Sequence, residues 1–289
     1  MTQLLADATA GGYAVCYCES WNLESLQAVV EAAEEVRSPI IAGFSGGFLM
    51  HPGRSKPANL AYYAGMALAL RKASVPVAFL LNETDSLSQI EEAISLGFNC
   101  VMVENESLPL DQYRSLVKQV VDIAHQQAVA VEAQIGRLPD GSGHTTAEIT
   151  DTALARAFVE ETGIDALAVA VGNVHVLTTG KSPLDLETLE RIHSAVEIPL
   201  VLHGGTGIPL ELAKDCIRRG VAKVNYGTTL KQVYLEAIRE ILAAYHAPMS
   251  PHPFLGMGGE RDIIVAGLEA VKLKVKELLR AFYSADKAH

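Results

Sequence analysis

Long apolar runs are missing from this 289-residue chain. No stretch approaches the roughly 20 residues that a membrane-spanning helix needs. The opening MTQLLADATAGGYAV also lacks the charged and apolar regions of a secretory signal, so the cytoplasm is the expected compartment. Cysteine is scarce. Cys16, Cys18, Cys100 and Cys216 contain no CxxC pair, which excludes a disulfide scaffold and predicts free thiols in a reducing environment. Basic residues are outnumbered, with 23 Lys and Arg against 34 Asp and Glu and a formal net charge of −11. A face broad enough to hold nucleic acid is therefore excluded, whereas a local site for a small anion is not. No shift in composition divides the chain, and residues 1–289 are expected to form a single domain.

What is present is a rhythm. Short apolar runs alternate with longer amphipathic segments. The predicted strands are Ala14–Cys18, Pro39–Phe44, Pro76–Leu81, Cys100–Glu104, Ala128–Ile135, Ala166–Val171, Pro199–His203 and Ala222–Tyr226. Their apolar character is continuous rather than alternating, as in strands covered on both faces. Between them, NLESLQAVVEAAEEV and SLSQIEEAISLG have helical spacing. DTALARAFVEETG begins on a capping Asp151 and ends before Gly163. PLELAKDCIRRG opens on a proline and closes on a glycine. Eight strand–helix units predict a closed (β/α)8 TIM barrel, with an open doubly wound sheet as the alternative. An extra C-terminal helix is expected over about 261–284, after a Pro/Gly-rich connector.

In such a barrel the chemistry gathers at the C-terminal ends of the strands. Those ends carry Glu19, Ser45, Asn82 with Glu83, Gln134, Asn173 with His175, His203, and Asn225 with Thr228. Glu83, His175 and His203 form a two-histidine, one-carboxylate set. Such a set suits a catalytic zinc, or another divalent metal, with an open position. The bland alternative makes Glu83 a carboxylate at a helix start and each histidine a structural one. Glycine-rich HGGTG (His203–Gly207) and NYGTTL (Asn225–Leu230) each lead into a helix, a design that offers backbone N–H groups to a phosphate.

The stretches YAVCYCESWNLESLQAVVEAAEE, VEAQIG, ETGIDALAVAVGNVH, PLVLHGGTGIP and AKVNYGTTL together resemble the class II, zinc-dependent fructose- and tagatose-bisphosphate aldolases over most of the chain. The resemblance implies a TIM barrel, a phosphorylated sugar substrate, a homodimer or homotetramer, and a metal that stabilises an enediolate. It places His175 and His203 on two metal ligands. It also places Gly204, Gly205, Asn225 and Thr228 on substrate- and phosphate-binding loops. Joined to the strand-end and glycine-turn reading, this makes Ser45, Gly172, Asn173, Gly204, Gly205, Thr206, Gly207, Tyr226, Gly227 and Thr228 the candidate substrate- and phosphate-binding residues, with Asn225 among the catalytic candidates.

Departures from the family pattern cluster at the chemistry. VPVAFLLNETDS stands where the family reads approximately VPVALHLDHG, so Asn82 replaces the catalytic Asp and Glu83 replaces a histidine ligand. An amide cannot take a proton from a hydroxyl. Glu19 stands where the family has a neutral asparagine, and Gln134 where it has a glutamate. The acidic GGEED loop has become LPDGSG. The expected activity is a metal-dependent lyase acting on a phosphorylated ketose or sugar acid, with Glu19 as the relocated base. An ion pair between Glu19 and a basic loop residue such as Lys181 is the alternative role for that carboxylate. An isomerase or decarboxylase using the same enediolate, or a noncatalytic aldolase-like subunit, are the alternative functions. His51, Arg54 and Lys56 after the second strand, and His144, read as loop residues that could meet a substrate.

Overall fold

The computed structural model describes residues 1–139 and 147–288; His144 and most of LPDGSG lie outside them. The order of elements is α1 (Thr2–Gly11), β1 (Val15–Glu19), α2 (Leu23–Glu35), β2 (Ile40–Ser45), α3 (Gly46–Leu49), α4 (Leu60–Ala67), β3 (Val77–Thr84), α5 (Leu87–Ser95), β4 (Cys100–Val103), α6 (Leu110–His125), β5 (Ala130–Ile135), α7 (Thr152–Thr162), β6 (Ala166–Val169), α8 (Leu186–Ala195), β7 (Leu200–Leu202), α9 (Ala213–Arg218), β8 (Val221–Tyr226), α10 (Thr228–Leu242) and α11 (Ile263–Ala281). The eight strands close in sequence order, and β1 pairs in parallel with both β2 and β8. This is the expected (β/α)8 barrel with a C-terminal helix.

The continuous apolar runs have a direct cause. Every residue of β1, β2, β4, β5 and β8 is buried, because one face of each strand fills the barrel and the other meets a helix. Val15, Tyr17, Ile41, Leu80, Met102 and Val201 pack inside, and Leu5 and Ala8 of α1 plug the N-terminal end. Phe44, Leu81, Val101, Phe158 and Ile192 fill the outer layer. Burying each such side chain contributes roughly 1.5–3 kcal/mol. With that end plugged, any opening to the interior lies at the opposite mouth.

Local signals set the helix ends. Asp151 accepts a hydrogen bond from the Leu154 N–H, and Gly163 takes the left-handed conformation that ends α7 (φ 72). The segment that opens on Pro209 departs from expectation. Leu210–Leu212 forms a 3-10 turn, and only Ala213–Arg218 is α-helical. The α11 helix lies against α2 and α10. Lys272 and Lys276 pair with Glu31 and Glu35, and Phe282 O accepts from Ala14 N. All four cysteines are free and buried. No helix among the described residues is long and apolar enough to cross a membrane.

Candidate active site

The third strand carries a local defect with a consequence. Its register against β4 shifts between Leu81 and Thr84, which leaves Asn82 and Glu83 in a bulge. Bulges of this kind re-aim side chains beside active sites. Glu83 has φ 53, a left-handed conformation that costs a non-glycine residue about 1–3 kcal/mol. The turn brings its Oε1 to 3.2 Å from His175 Nε2 and 3.2 Å from His203 Nδ1. The three donor atoms lie within 4.8 Å of one another.

Electrostatics binds this set together. Burial alone would raise the Glu83 carboxyl, but the two imidazoles override it and hold the group well below the usual carboxylate range. Burial would likewise lower His175, and the Glu83 charge more than offsets it, pushing His175 up to about 9. The second ring nitrogen of His203 is held from behind. Its Nε2 lies 2.9 Å from Glu132 Oε1, and Lys223 Nζ lies 2.8 Å from Glu132 Oε2. Lys223 also donates to Asn225 Oδ1 at 2.7 Å, and Asn225 Nδ2 comes within 2.9 Å of His203 Nε2. Against the cost of burial, carboxylates at both nitrogens favour the protonated His203 ring; with the Nδ1 proton displaced, Glu132 would still hold Nε2–H and fix the ring, as for a histidine prepared to ligate metal.

A cavity of about 200 Å³ opens beside the triad. Glu19, Asn82, Glu83, His175 and Asn225 line it. So do Gly204, Gly205, Thr206, Tyr226, Gly227 and Thr228 of the two glycine-rich turns. Within it the buried Asn82 Oδ1 and Tyr17 hydroxyl have no hydrogen-bond partner among the described residues. Unpaired buried polar atoms are costly, so their survival at a cavity wall points to a polar ligand. Two histidines and a carboxylate converging on that cavity fit a divalent metal with an open position.

Four expected substrate contacts are not among the residues lining this cavity. Ser45 caps α3, accepting from Phe48 N, with its Oγ 3.5 Å from Glu83 Oε2. Gly172 is required because a Cβ there would strike the Pro183 carbonyl. The fully buried Asn173 donates to His203 O at 3.0 Å and accepts from Val171 N, so it fixes the strand end that carries His203. Gly207 spends its N–H on the Gly204 carbonyl. Lys181 pairs with Glu211 rather than with Glu19. The partner of Glu19 is Lys231, whose Nζ lies 2.7 Å from Oε1. His51, Arg54 and Lys56 are exposed and line no part of the cavity.

The sequence reading assigns no role to Tyr17, Glu104, Lys223 or Lys231. Glu104 directly follows β4 and accepts from Gln134 Nε2 at 3.2 Å. Burial and the neighbouring Glu83 charge push its carboxyl up to about 7. The signal for it was its place at a strand end. Lys223 is fully buried inside the barrel with Glu132. Replacing one member of a buried ion pair strands the other charge, so Lys223→Met should destabilise the fold by about 3–5 kcal/mol, measured by urea unfolding. A loss below about 1 kcal/mol would show that Glu132 does not depend on Lys223.

Residues 1–287 match the family model described as fructose-bisphosphate aldolase class-II. A probable fructose-bisphosphate aldolase of Bacillus subtilis is 36% identical over all of this chain and 98% of its own length. The crystal structure of the YdjI aldolase from Escherichia coli K12 superposes with a TM-score of 0.82 at 31% identity, covering all of this chain and 98% of that one. A putative fructose-1,6-bisphosphate aldolase from Coccidioides immitis gives a TM-score of 0.80 at 26% identity, over 99% of this chain and 96% of that one. With its barrel, its converging donors and these relatives, the chain belongs to the class-II fructose-bisphosphate aldolase family and is an aldolase-like lyase.

Proposed function

We propose that the protein cleaves a phosphorylated ketose or sugar acid, with zinc or another divalent ion held by Glu83, His175 and His203. The observation that carries this reading is the meeting of that donor set, an unpartnered Asn82 Oδ1 and two glycine-rich turns around one cavity. The chemistry supplied by a bound ion there is Lewis-acid polarisation of a carbonyl. The protein's own groups do the rest. Gly227 opens α10 without a side-chain cap, so the first amides of that helix lack partners within it. Thr229 N is taken by Thr206 Oγ1 at 3.1 Å, which ties the two turns together. Gly205, Thr206, Gly227 and Thr228 are left to offer their amides to a phosphate at a helix N-terminus. Glu19, on the same cavity, receives the proton of a substrate hydroxyl as the carbon–carbon bond breaks. Asn82 orients that hydroxyl and accepts no proton.

A screen of zinc-loaded protein against ketose phosphates and phosphorylated sugar acids tests the reading, scored by release of a carbonyl fragment. No cleavage of any member, with no metal retained, would overturn it. The phosphate site has its own test. Gly204 has φ 67, and a Cβ on it would strike the Val174 carbonyl. Gly204→Ala should therefore distort the turn, cost more than about 1 kcal/mol of stability, and weaken inorganic phosphate as a competitive ligand. Unchanged phosphate affinity in that variant would place the anion elsewhere.

A further inference from the structure

The charges lining the cavity are unevenly matched. Lys231, in the first turn of α10, is the one lysine among the described lining residues, and no arginine joins it. It is already committed. Its Nζ lies 2.7 Å from Glu19 Oε1 and 4.2 Å from the centroid of the Phe48 ring. A cation held by a carboxylate and an aromatic face is neutralised and fixed in place. The other Glu19 oxygen lies against Gly227, where any Cβ would collide with it. The glycine thus leaves room for the carboxylate at the edge of the turn that offers amides. Arg54 spends its Nη1 on the carbonyl of Phe48, a lining residue, at 3.3 Å and is exposed.

A phosphate on the amides of the two turns meets a net-neutral Glu19–Lys231 pair. A second anionic group on the same substrate would find no further lysine or arginine among the described lining residues and a carboxylate in its path. A hydroxyl in that place could donate to Glu19 at no such cost. We propose that the preferred substrate is a ketose monophosphate, with its single phosphate on the amides and an uncharged, hydroxylated end beside Glu19 and Lys231. This rests on the lyase reading for the location of the phosphate. It differs from a bisphosphate preference in assigning the selection to one ion pair.

Binding, measured apart from cleavage, tests it. Zinc-loaded protein is titrated calorimetrically with D-fructose and D-tagatose 1-phosphates and with the matching 1,6-bisphosphates. The monophosphates should bind at least about tenfold more tightly, since like charges placed together at a site are strongly disfavoured. Glu19→Gln removes the opposing charge and frees Lys231, so the ratio should fall toward unity or reverse. Lys231→Gln, a second variant that keeps the carboxylate, should steepen it. Tighter bisphosphate binding by the wild type, or a ratio that neither variant moves, overturns the inference, as does failure of all four sugars to bind. Cleavage is scored in parallel. The expected binding ratio without cleavage of any of these sugars would count against the lyase reading for ketoses and leave this inference standing. Rapid cleavage with a bisphosphate preference would overturn this inference alone.

Discussion

Protein purified without chelator should carry about one divalent ion per chain, and His203→Ala should carry none. Both outcomes are read by elemental analysis. The expectation follows from how little freedom the donors have. His203 is 1% exposed and its ring is fixed by Glu132, while Glu83 is turned inward by a left-handed backbone at a bulge. Alanine at 203 removes one donor and leaves Glu132 to face Lys223 alone. Removing the outer partner is milder. Loss of a second carboxylate behind a ligating histidine typically costs 10–100-fold in metal affinity, and Glu132→Gln should fall in about that range. The binding should also be coupled to protons. Without metal, Glu83 holds His175 protonated up to about pH 9, and metal needs the neutral ring. Affinity should therefore rise with pH through neutrality and level off above about 9. Proton release on binding, read from the buffer dependence of the binding heat, is the matching signal, since the flanking carboxylates favour the protonated ring of His203 as well. Stoichiometric metal in His203→Ala, or an affinity flat between pH 6 and about 9, would remove Glu83, His175 and His203 as the ligand set.

The sequence shows the barrel clearly because burial on both faces leaves a simple trace. Runs such as Ala166–Val169 and Leu200–Leu202 have no polar face to hide them. The same logic locates the strand ends, so the three candidate donors Glu83, His175 and His203 are legible as a set. What was not legible depends on backbone detail. The bulge at Asn82 and Glu83 gives no pattern in a run that otherwise reads as a plain strand. Asn173 looks like a substrate contact until its amide is found bonded to the Val171 and His203 backbone. Lys223 sits in a strand whose neighbours are apolar, and only three-dimensional closure supplies the Glu132 that makes its burial tolerable. The partner of Glu19 was misplaced for a similar reason. Lys181 lies in a segment that reads as a loop near the mouth, but helix α10 begins at the cavity and delivers Lys231 instead. The helix in Thr2–Gly11 was missed because its apolar positions are few. Its value lies in closing the barrel end, which local periodicity does not reveal.

The reaction's proton should leave through Glu19, and its loss should be felt in the chemical step as well as in the choice between mono- and bisphosphates, but not in metal binding. General-base catalysis typically contributes 10²–10⁴-fold. Glu19→Gln is therefore expected to lower kcat by about that factor, with metal content unchanged because Glu19 is not among the metal donors. Against a family member that keeps the aspartate, this protein should cleave fructose or tagatose bisphosphate about 10²–10⁴-fold more slowly, since Asn82 cannot act as a base. Asn82→Asp should not repair the deficit. It would place a new carboxylate next to Glu83, and like charges so close oppose ionisation of the second. The pH profile separates Glu19 from the other free carboxyl of the region. Burial raises Glu19 and the Lys231 ammonium opposes that rise, whereas burial and the Glu83 charge act together on Glu104, which stands at about 7. Activity governed by Glu19 should keep its acid limb in Glu104→Gln and lose it in Glu19→Gln. The reverse pattern would move the base to Glu104. Brisk bisphosphate cleavage by Asn82→Asp, with Glu19→Gln silent, would show instead that the site is a decayed aldolase whose only missing part is the aspartate.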